Sequence, residues 1–79
     1  MVTRGPKDAR PLTTRQRDVT RLVAAGWSNA EIARRLGISD QTVKNHLKAI
    51  FERLGVASRL QLAAYVHRHG PGPGSEDEA

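Results

Sequence analysis

The sequence predicts an all-α domain of four helices, and three observations carry that prediction. Apolar residues recur at intervals of three and four through residues 12–69, the spacing that lines one face of a helix. Within residues 12–69 a Ser or Thr stands three residues before a Gln or Glu at three places, as an N-terminal capping box requires: Thr13 with Gln16, Ser28 with Glu31 and Ser58 with Gln61. Gly26, Gly37 and Gly55 follow the apolar runs, where a left-handed helix stop belongs. No alternating run is long enough to favour a strand.

Each helix follows from these signals in turn. Thr13 opens the first, Val19, Leu22 and Val23 share its face, and Gly26 ends it. Ser28 opens a short second helix that carries Ile32, Ala33 and Leu36 and stops at Gly37. Ser39 caps the third, with Asp40 in the first turn, where a negative charge suits the helix dipole. Val43, Leu47, Ile50 and Leu54 form the inner stripe of this helix, about residues 39–54, and Gly55 closes it. Ser58 opens the fourth helix, which runs to about His69 before Gly70 and Pro71 stop it. The chain thus divides into a flexible arm or linker at 1–11, a folded domain at 12–69 and a disordered Pro/Gly-rich acidic tail at 70–79. Neither end has the apolar surface to order itself.

Composition narrows the function. The chain has 79 residues, enough for one domain with a small core. With one Phe, one Trp, one Tyr and no Cys, that core rests on Leu, Ile, Val and Ala. The lack of cysteine removes disulfide and thiolate chemistry and fits a cytoplasmic compartment. No segment has the roughly 20 apolar residues of a membrane span, and the first eleven residues lack the apolar segment of a signal peptide. The net charge is +5, and it is unevenly placed. Residues 11–69 hold ten basic and four acidic side chains, whereas the last ten residues hold three acidic and no basic ones. A basic body favours a polyanionic partner. The acidic end would compete weakly with such a partner for the basic face.

Helices two and three are joined only by Gly37, Ile38 and Ser39. A connection that short, containing Gly, forces two helices to cross steeply. Ala33 is small enough to let the helices approach, and Ile38 would pin the turn to the core. This is a helix-turn-helix pattern, in which the second helix enters the major groove of DNA. If Val43, Leu47, Ile50 and Leu54 face inward, Gln41, Lys44, Asn45, Lys48 and Glu52 face outward at 100° per residue. Lys suits guanine O6/N7 or phosphate, and Asn and Gln suit adenine N6/N7. An ordinary solvated face would use the same residue types, but their place on the second helix of this turn favours base reading.

Several motifs together resemble the LuxR-type (NarL/GerE-like) helix-turn-helix domain. They are Leu12-Thr13-Thr14-Arg15, Gly26-Trp27-Ser28-Asn29, Glu31-Ile32-Ala33, Ile38-Ser39, Thr42-Val43-Lys44-Asn45-His46-Leu47, Leu54-Gly55-Val56 and Ser58-Arg59. The likeness covers about residues 12–68. It implies a bacterial transcription regulator, such as a response regulator output domain, that binds double-stranded DNA without a cofactor or metal. It implies base contacts from Lys44, Asn45 and Lys48, with Gln41 beside them. It implies phosphate contacts from Ser28, Asn29, Ser39, Thr42 and Arg59. Helix N-termini suit phosphate on physical grounds as well. The fourth helix would form a homodimer contact, and RNA polymerase stands open as a further partner. Two positions depart from the family pattern. Gln16 replaces a usual Glu, removing an acidic contact to a neighbouring base, and Ala30 replaces a Lys or Gln, removing a possible phosphate contact.

The remaining candidates divide more evenly. His46, on the flank of the third helix, suits either a phosphate or the edge of the core. Trp27 reads as corner packing. Arg15, Arg17, Arg34 and Arg35 read as solvated, with one or two near phosphate. His67 and His69 stand two apart on a helix and do not share a face, so they suit helix C-terminal charge rather than metal. Leu62, Ala63 and Val66 would face the core, leaving Leu60, Ala64 and Tyr65 as a dimer face. An enzyme is disfavoured, because no nucleophile, base and acid converge in the pattern. A protein-interaction module working through the fourth helix and a sigma-factor region four are the alternatives. The Leu54-Gly55-Val56 break before a capped fourth helix favours the LuxR type over the latter.

Overall fold

Local capping chemistry sets the helix starts in the computed structural model, which describes residues 12–70. The arm expected at 1–11 and the acidic tail beyond Gly70 lie outside the described residues. The helices are α1 (Thr14–Ala24), α2 (Asn29–Leu36), α3 (Asp40–Leu54) and α4 (Arg59–His69). No strand occurs among the described residues. The Thr13 hydroxyl accepts from the Gln16 N–H at 3.1 Å, and Gln16 Oε1 accepts from the Thr13 N–H at 3.0 Å. Ser28 and Glu31 make the same reciprocal pair, at 3.1 and 2.9 Å. Ser39 Oγ accepts from the Thr42 N–H at 3.0 Å. Each bond satisfies a donor that the first turn of a helix leaves without a carbonyl partner.

The third expected capping box is only half formed. Ser58 Oγ accepts from the Gln61 N–H at 3.1 Å. Gln61 Oε1 reaches past Ser58 and accepts from the Ala57 N–H at 2.7 Å. The cause lies in the backbone. Ser58 has φ −152°, against −70° at Thr13 and −77° at Ser28, so its own N–H turns away from the helix.

The three corners share one construction. The N–H of the residue after each glycine donates to the carbonyl five residues back: Trp27 to Leu22, Ile38 to Ala33 and Val56 to Phe51, each at 3.0 Å. This is the Schellman closure, which satisfies an orphan carbonyl and turns the next side chain back toward the helix. The donors Trp27, Ile38 and Val56 are apolar, and each packs against the core. At the α2–α3 corner Gly37 has φ +70°, a conformation that a Cβ would strain.

α1 packs against α2, α3 and α4, and α2 packs against α3. Val19, Ile32, Val43, Ile50 and Leu62 are fully buried between them. Ala33 is 4% exposed, in keeping with the small contact expected between α2 and α3. Two polar residues share this interior. Thr20 Oγ1 donates to the Gln16 carbonyl at 2.8 Å. Gln16 Oε1 also accepts from Arg53 Nη1 on α3, at 3.1 Å. The acidic contact is absent at Gln16, as expected, but its neutral amide oxygen still meets a basic neighbour, Arg53.

Gln16→Leu keeps the bulk of the side chain but removes the acceptor shared by Thr13 and Arg53. Leaving partly buried donors unmet costs about 1–3 kcal/mol, and a urea unfolding curve should show a loss of that size.

Candidate nucleic-acid interface

The inner stripe of α3 fixes what its outer face presents. Val43, Leu47, Ile50 and Leu54 are all buried, and Gln41, Lys44, Asn45, Lys48 and Glu52 are all exposed. At 100° per residue, Gln41, Lys44, Asn45 and Lys48 fall within an arc of about 100°. The two lysines lie along one edge of that arc, and Gln41 and Asn45 lie along the other. The amides are not independent: Gln41 Nε2 donates to Asn45 Oδ1 at 3.1 Å. The face therefore offers two ammonium donors beside a joined amide pair. Together they match the donors and acceptors that purines expose in the major groove.

Two capped helix N-termini carry the other expected contacts. Ser39 caps α3, and its hydroxyl lies 2.9 Å from that of Thr42. Ser28 caps α2 with Asn29 as its first helical residue. First-turn N–H groups and the positive end of the helix dipole suit an anion. His46 is half-buried on the flank of α3, between the two roles open to it from sequence. Ala30 is exposed on α2 and offers no donor.

Arg59 brings two expected phosphate residues together in a way that spacing could not reveal. Its Nη1 donates to Asn29 Oδ1 at 2.7 Å, and its Nη2 donates to the Trp27 carbonyl. The guanidinium thus clasps the start of α4 to the start of α2, across 30 residues of chain. It has five N–H donors in a rigid fork, so others remain for a ligand. Next to the clasp, the Arg35 guanidinium stands 5.4 Å from the centre of the half-buried Trp27 ring, a cation–π contact. Trp27, Glu31, Arg34 and Arg35 line an open groove there. The clasp, the Arg35 stack and the Arg53–Gln16 bond were all missed in sequence, because each joins different helices or a helix and a corner.

On α4, Leu62 is fully buried, while Leu60 is 79% exposed. Ala64 is exposed one turn after Leu60. Tyr65 is half-buried, packs against the core and sets its ring 4.6 Å from that of His69. Of the expected dimer face, Leu60 and Ala64 form the open part, and Tyr65 divides its surface between core and solvent. Among the described residues no cluster of His, Asp or Glu is arranged to hold a metal ion, and no helix is long and apolar enough to cross a membrane.

Comparison with known proteins agrees with this geometry. The profile of the bacterial regulatory proteins of the luxR family matches residues 10–66. A putative HTH-type transcriptional regulator of Mycobacterium bovis is 49% identical over 59 residues, covering 75% of this chain and 7% of that protein. The nitrate/nitrite response regulator protein NarL of Escherichia coli is 42% identical over 62 residues, covering 78% of this chain and 29% of NarL. The structure of the transcription factor GerE superposes with a TM-score of 0.68 at 35% identity, covering 76% of this chain and 90% of GerE. The chain spans less than a third of the length of these M. bovis and E. coli relatives.

Arg59→Met keeps the aliphatic stem and removes the clasp. The expected loss of stability is roughly 1–2 kcal/mol, allowing for a partly solvated guanidinium. Trp27 is the single tryptophan of the chain, so its fluorescence, followed through a denaturant series, reports the change directly.

Proposed function

The chain belongs to the luxR family of bacterial regulatory proteins, and we propose that it binds double-stranded DNA sequence-specifically to regulate transcription. In this reading α3 lies in the major groove. Lys44, Asn45 and Lys48 meet base edges, with Gln41 beside them. Ser28, Asn29, Ser39, Thr42, His46 and Arg59 meet phosphates. The observation that carries the reading is the α3 outer face, where hydrogen-bonding side chains stand exposed opposite a buried stripe. The folded unit, residues 12–69, acts as the output domain of a response-regulator type of protein in the cytoplasm. The share of NarL that the chain matches supports that placement. Phosphate contacts supply most of the affinity, and base contacts supply the discrimination.

We further propose that two copies pair through α4, with Leu60 and Ala64 at the centre of the contact and Tyr65 at its edge. A two-fold pair would read two half-sites in inverted repeat on one face of the duplex. RNA polymerase is a further partner open to a transcription regulator of this kind.

A salt-series titration against labelled duplex tests the first proposal. Affinity should fall by about tenfold or more between roughly 50 and 200 mM salt. Lys44→Ala and Lys48→Ala should each lose about 1–3 kcal/mol on a selected site. Binding that ignores salt and both substitutions would sink the DNA-reading role.

Leu60→Glu tests the pairing. It should abolish cooperative binding to a double site, whereas on a single half-site it should cost only the modest, salt-screened effect of one negative charge added beside Arg59. Gel-shift stoichiometry on one-site and two-site duplexes separates the two outcomes.

A further inference from the structure

The α1–α2 side of the domain carries positive charge that the proposed DNA contacts leave unused. Arg34 and Arg35 are exposed on α2 and, with Trp27 and Glu31, line the open groove beside the Arg59 clasp. Arg35 also lines a second groove, between Leu22 and Arg21 of α1 and Leu36 of α2, so the two grooves meet at that side chain. Among the described residues neither Arg34 nor Arg35 has a carboxylate within ion-pair distance. Glu31 stands three and four residues before them, the spacing of a helical ion pair. Its carboxylate is instead turned back to the Ser28 N–H at 2.9 Å. In the second groove Asp18 lies 4.0 Å from Arg21, with both side chains exposed to solvent, a weak contact. Trp27, Leu22 and Leu36 are half-buried and form an apolar floor under two guanidinium groups that no acid of the folded domain engages. A planar guanidinium pairs with a carboxylate side-on, through two parallel hydrogen bonds.

We propose that this groove holds the chain's own acidic segment, Glu76-Asp77-Glu78, docked in cis with its carboxylates on Arg34 and Arg35. Charge favours that occupant. The segment sets three carboxylates in succession, and residues 71–79 contain no base. Reach favours it as well. Arg59, at the start of α4, donates to the Trp27 carbonyl, so one end of the groove adjoins the start of α4. That helix has 11 residues, about 16 Å at the usual helical rise, and the chain leaves it at Gly70. Glu76 is six and Glu78 eight residues past Gly70, a span of up to about 20–26 Å, enough to return along the domain. A short tether keeps the segment at an effective concentration on the order of millimolar, so individually weak exposed pairs suffice. The Trp27 ring already steadies one guanidinium, 5.4 Å from its centre, and less freedom is lost when a carboxylate arrives. The outer face of α3 is a poorer seat, because its two lysines are point charges without the planar fork and stand among exposed polar neighbours. No residue of α3 lines either groove. The docked segment therefore keeps its negative charge off the face proposed to meet phosphate.

Trp27, the single tryptophan of the chain, reports occupancy of the groove. The measurement is acrylamide quenching of its fluorescence in the full chain without DNA, at roughly 20 and roughly 500 mM salt, between which exposed ion pairs become strongly screened. The docked segment should protect the ring at low salt, and quenching should rise by about 1.5- to 2-fold at high salt. Glu76→Gln, Asp77→Asn and Glu78→Gln together should give the high-salt value in both conditions. Arg34→Gln leaves the Arg35–Trp27 stack in place. It should remove most of the protection from the wild-type chain and change nothing further once the segment is neutralised, the non-additivity expected of interacting partners. An Arg34→Gln effect of equal size in both backgrounds would be a local change at the ring, and that result overturns the proposal. Quenching that ignores neutralisation of the segment overturns it outright. If neutralisation leaves Trp27 as it was but raises DNA affinity severalfold, the segment sits on the DNA-binding face instead. Protection that grows with protein concentration between about 1 and 100 µM would place the segment in the groove of a second copy, and docking in cis falls. The quenching measurements need no DNA, so this inference and the proposed DNA-binding role stand or fall separately.

Discussion

The α2–α3 corner sets the direction of α3, and with it the surface that the domain presents. Gly37 takes a left-handed conformation, Ile38 closes a backbone bond to Ala33, and Ser39 restarts the chain as a helix cap. With so few residues, the corner leaves α3 almost no freedom relative to α2. Ile38 packs into the core and removes what freedom is left. The direction of the outer face of α3 is thereby set by residues that are not on that face. The same glycine-then-apolar closure recurs after α1 and α3, at Gly26-Trp27 and Gly55-Val56. A chain with little core therefore gains rigidity from its turns, each of which satisfies an otherwise orphaned carbonyl and anchors a side chain in the interior.

The polar interior extends that logic. Gln16 could have been a weak point, a buried amide in a small apolar core. Instead its Oε1 meets both the Thr13 N–H and the Arg53 guanidinium, and its carbonyl meets Thr20. One residue thus completes a helix cap and ties α1 to α3. Because the group is neutral, it joins the elements without placing a second charge in the interior, where desolvation opposes charge. Arg59 does the corresponding task at the surface, holding the start of α4 to the start of α2 through Asn29 and the Trp27 carbonyl. The proposed pairing helix and a proposed phosphate-binding terminus are therefore mechanically joined.

The division of labour along α3 follows from these supports. A helix held by both α1 and α2 can present a short row of polar side chains in fixed register, so small differences among them matter. Lys44 and Lys48 contribute charge, which acts at a distance and is screened by salt. Gln41 and Asn45 contribute direction, which acts only at contact. Charge and directed hydrogen bonding thus fall on different edges of one helix face.

Local patterns in the chain specify the four helices, their caps and stops, the inner stripe of α3 and, by subtraction, its outer face. Each of these depends on residues within one helical turn of each other: Thr13 with Gln16, Ser28 with Glu31, Val43 with Leu47. Signals that close in the chain are close in space whatever the fold. The family resemblance was legible for the same reason, since its motifs are those caps, corners and stripes. The tertiary structure alone decided the pairings that cross the chain. Arg53 meets Gln16 across 37 residues and Arg59 meets Asn29 across 30, and no local pattern specifies which of many exposed arginines will find which acceptor. It also decided finer matters of backbone angle, such as Gln61 bonding to Ala57 instead of Ser58. Periodicity places a side chain on a face, but hydrogen bonds form only where packing brings a donor and an acceptor within about 3 Å at a workable angle, and that depends on the whole fold.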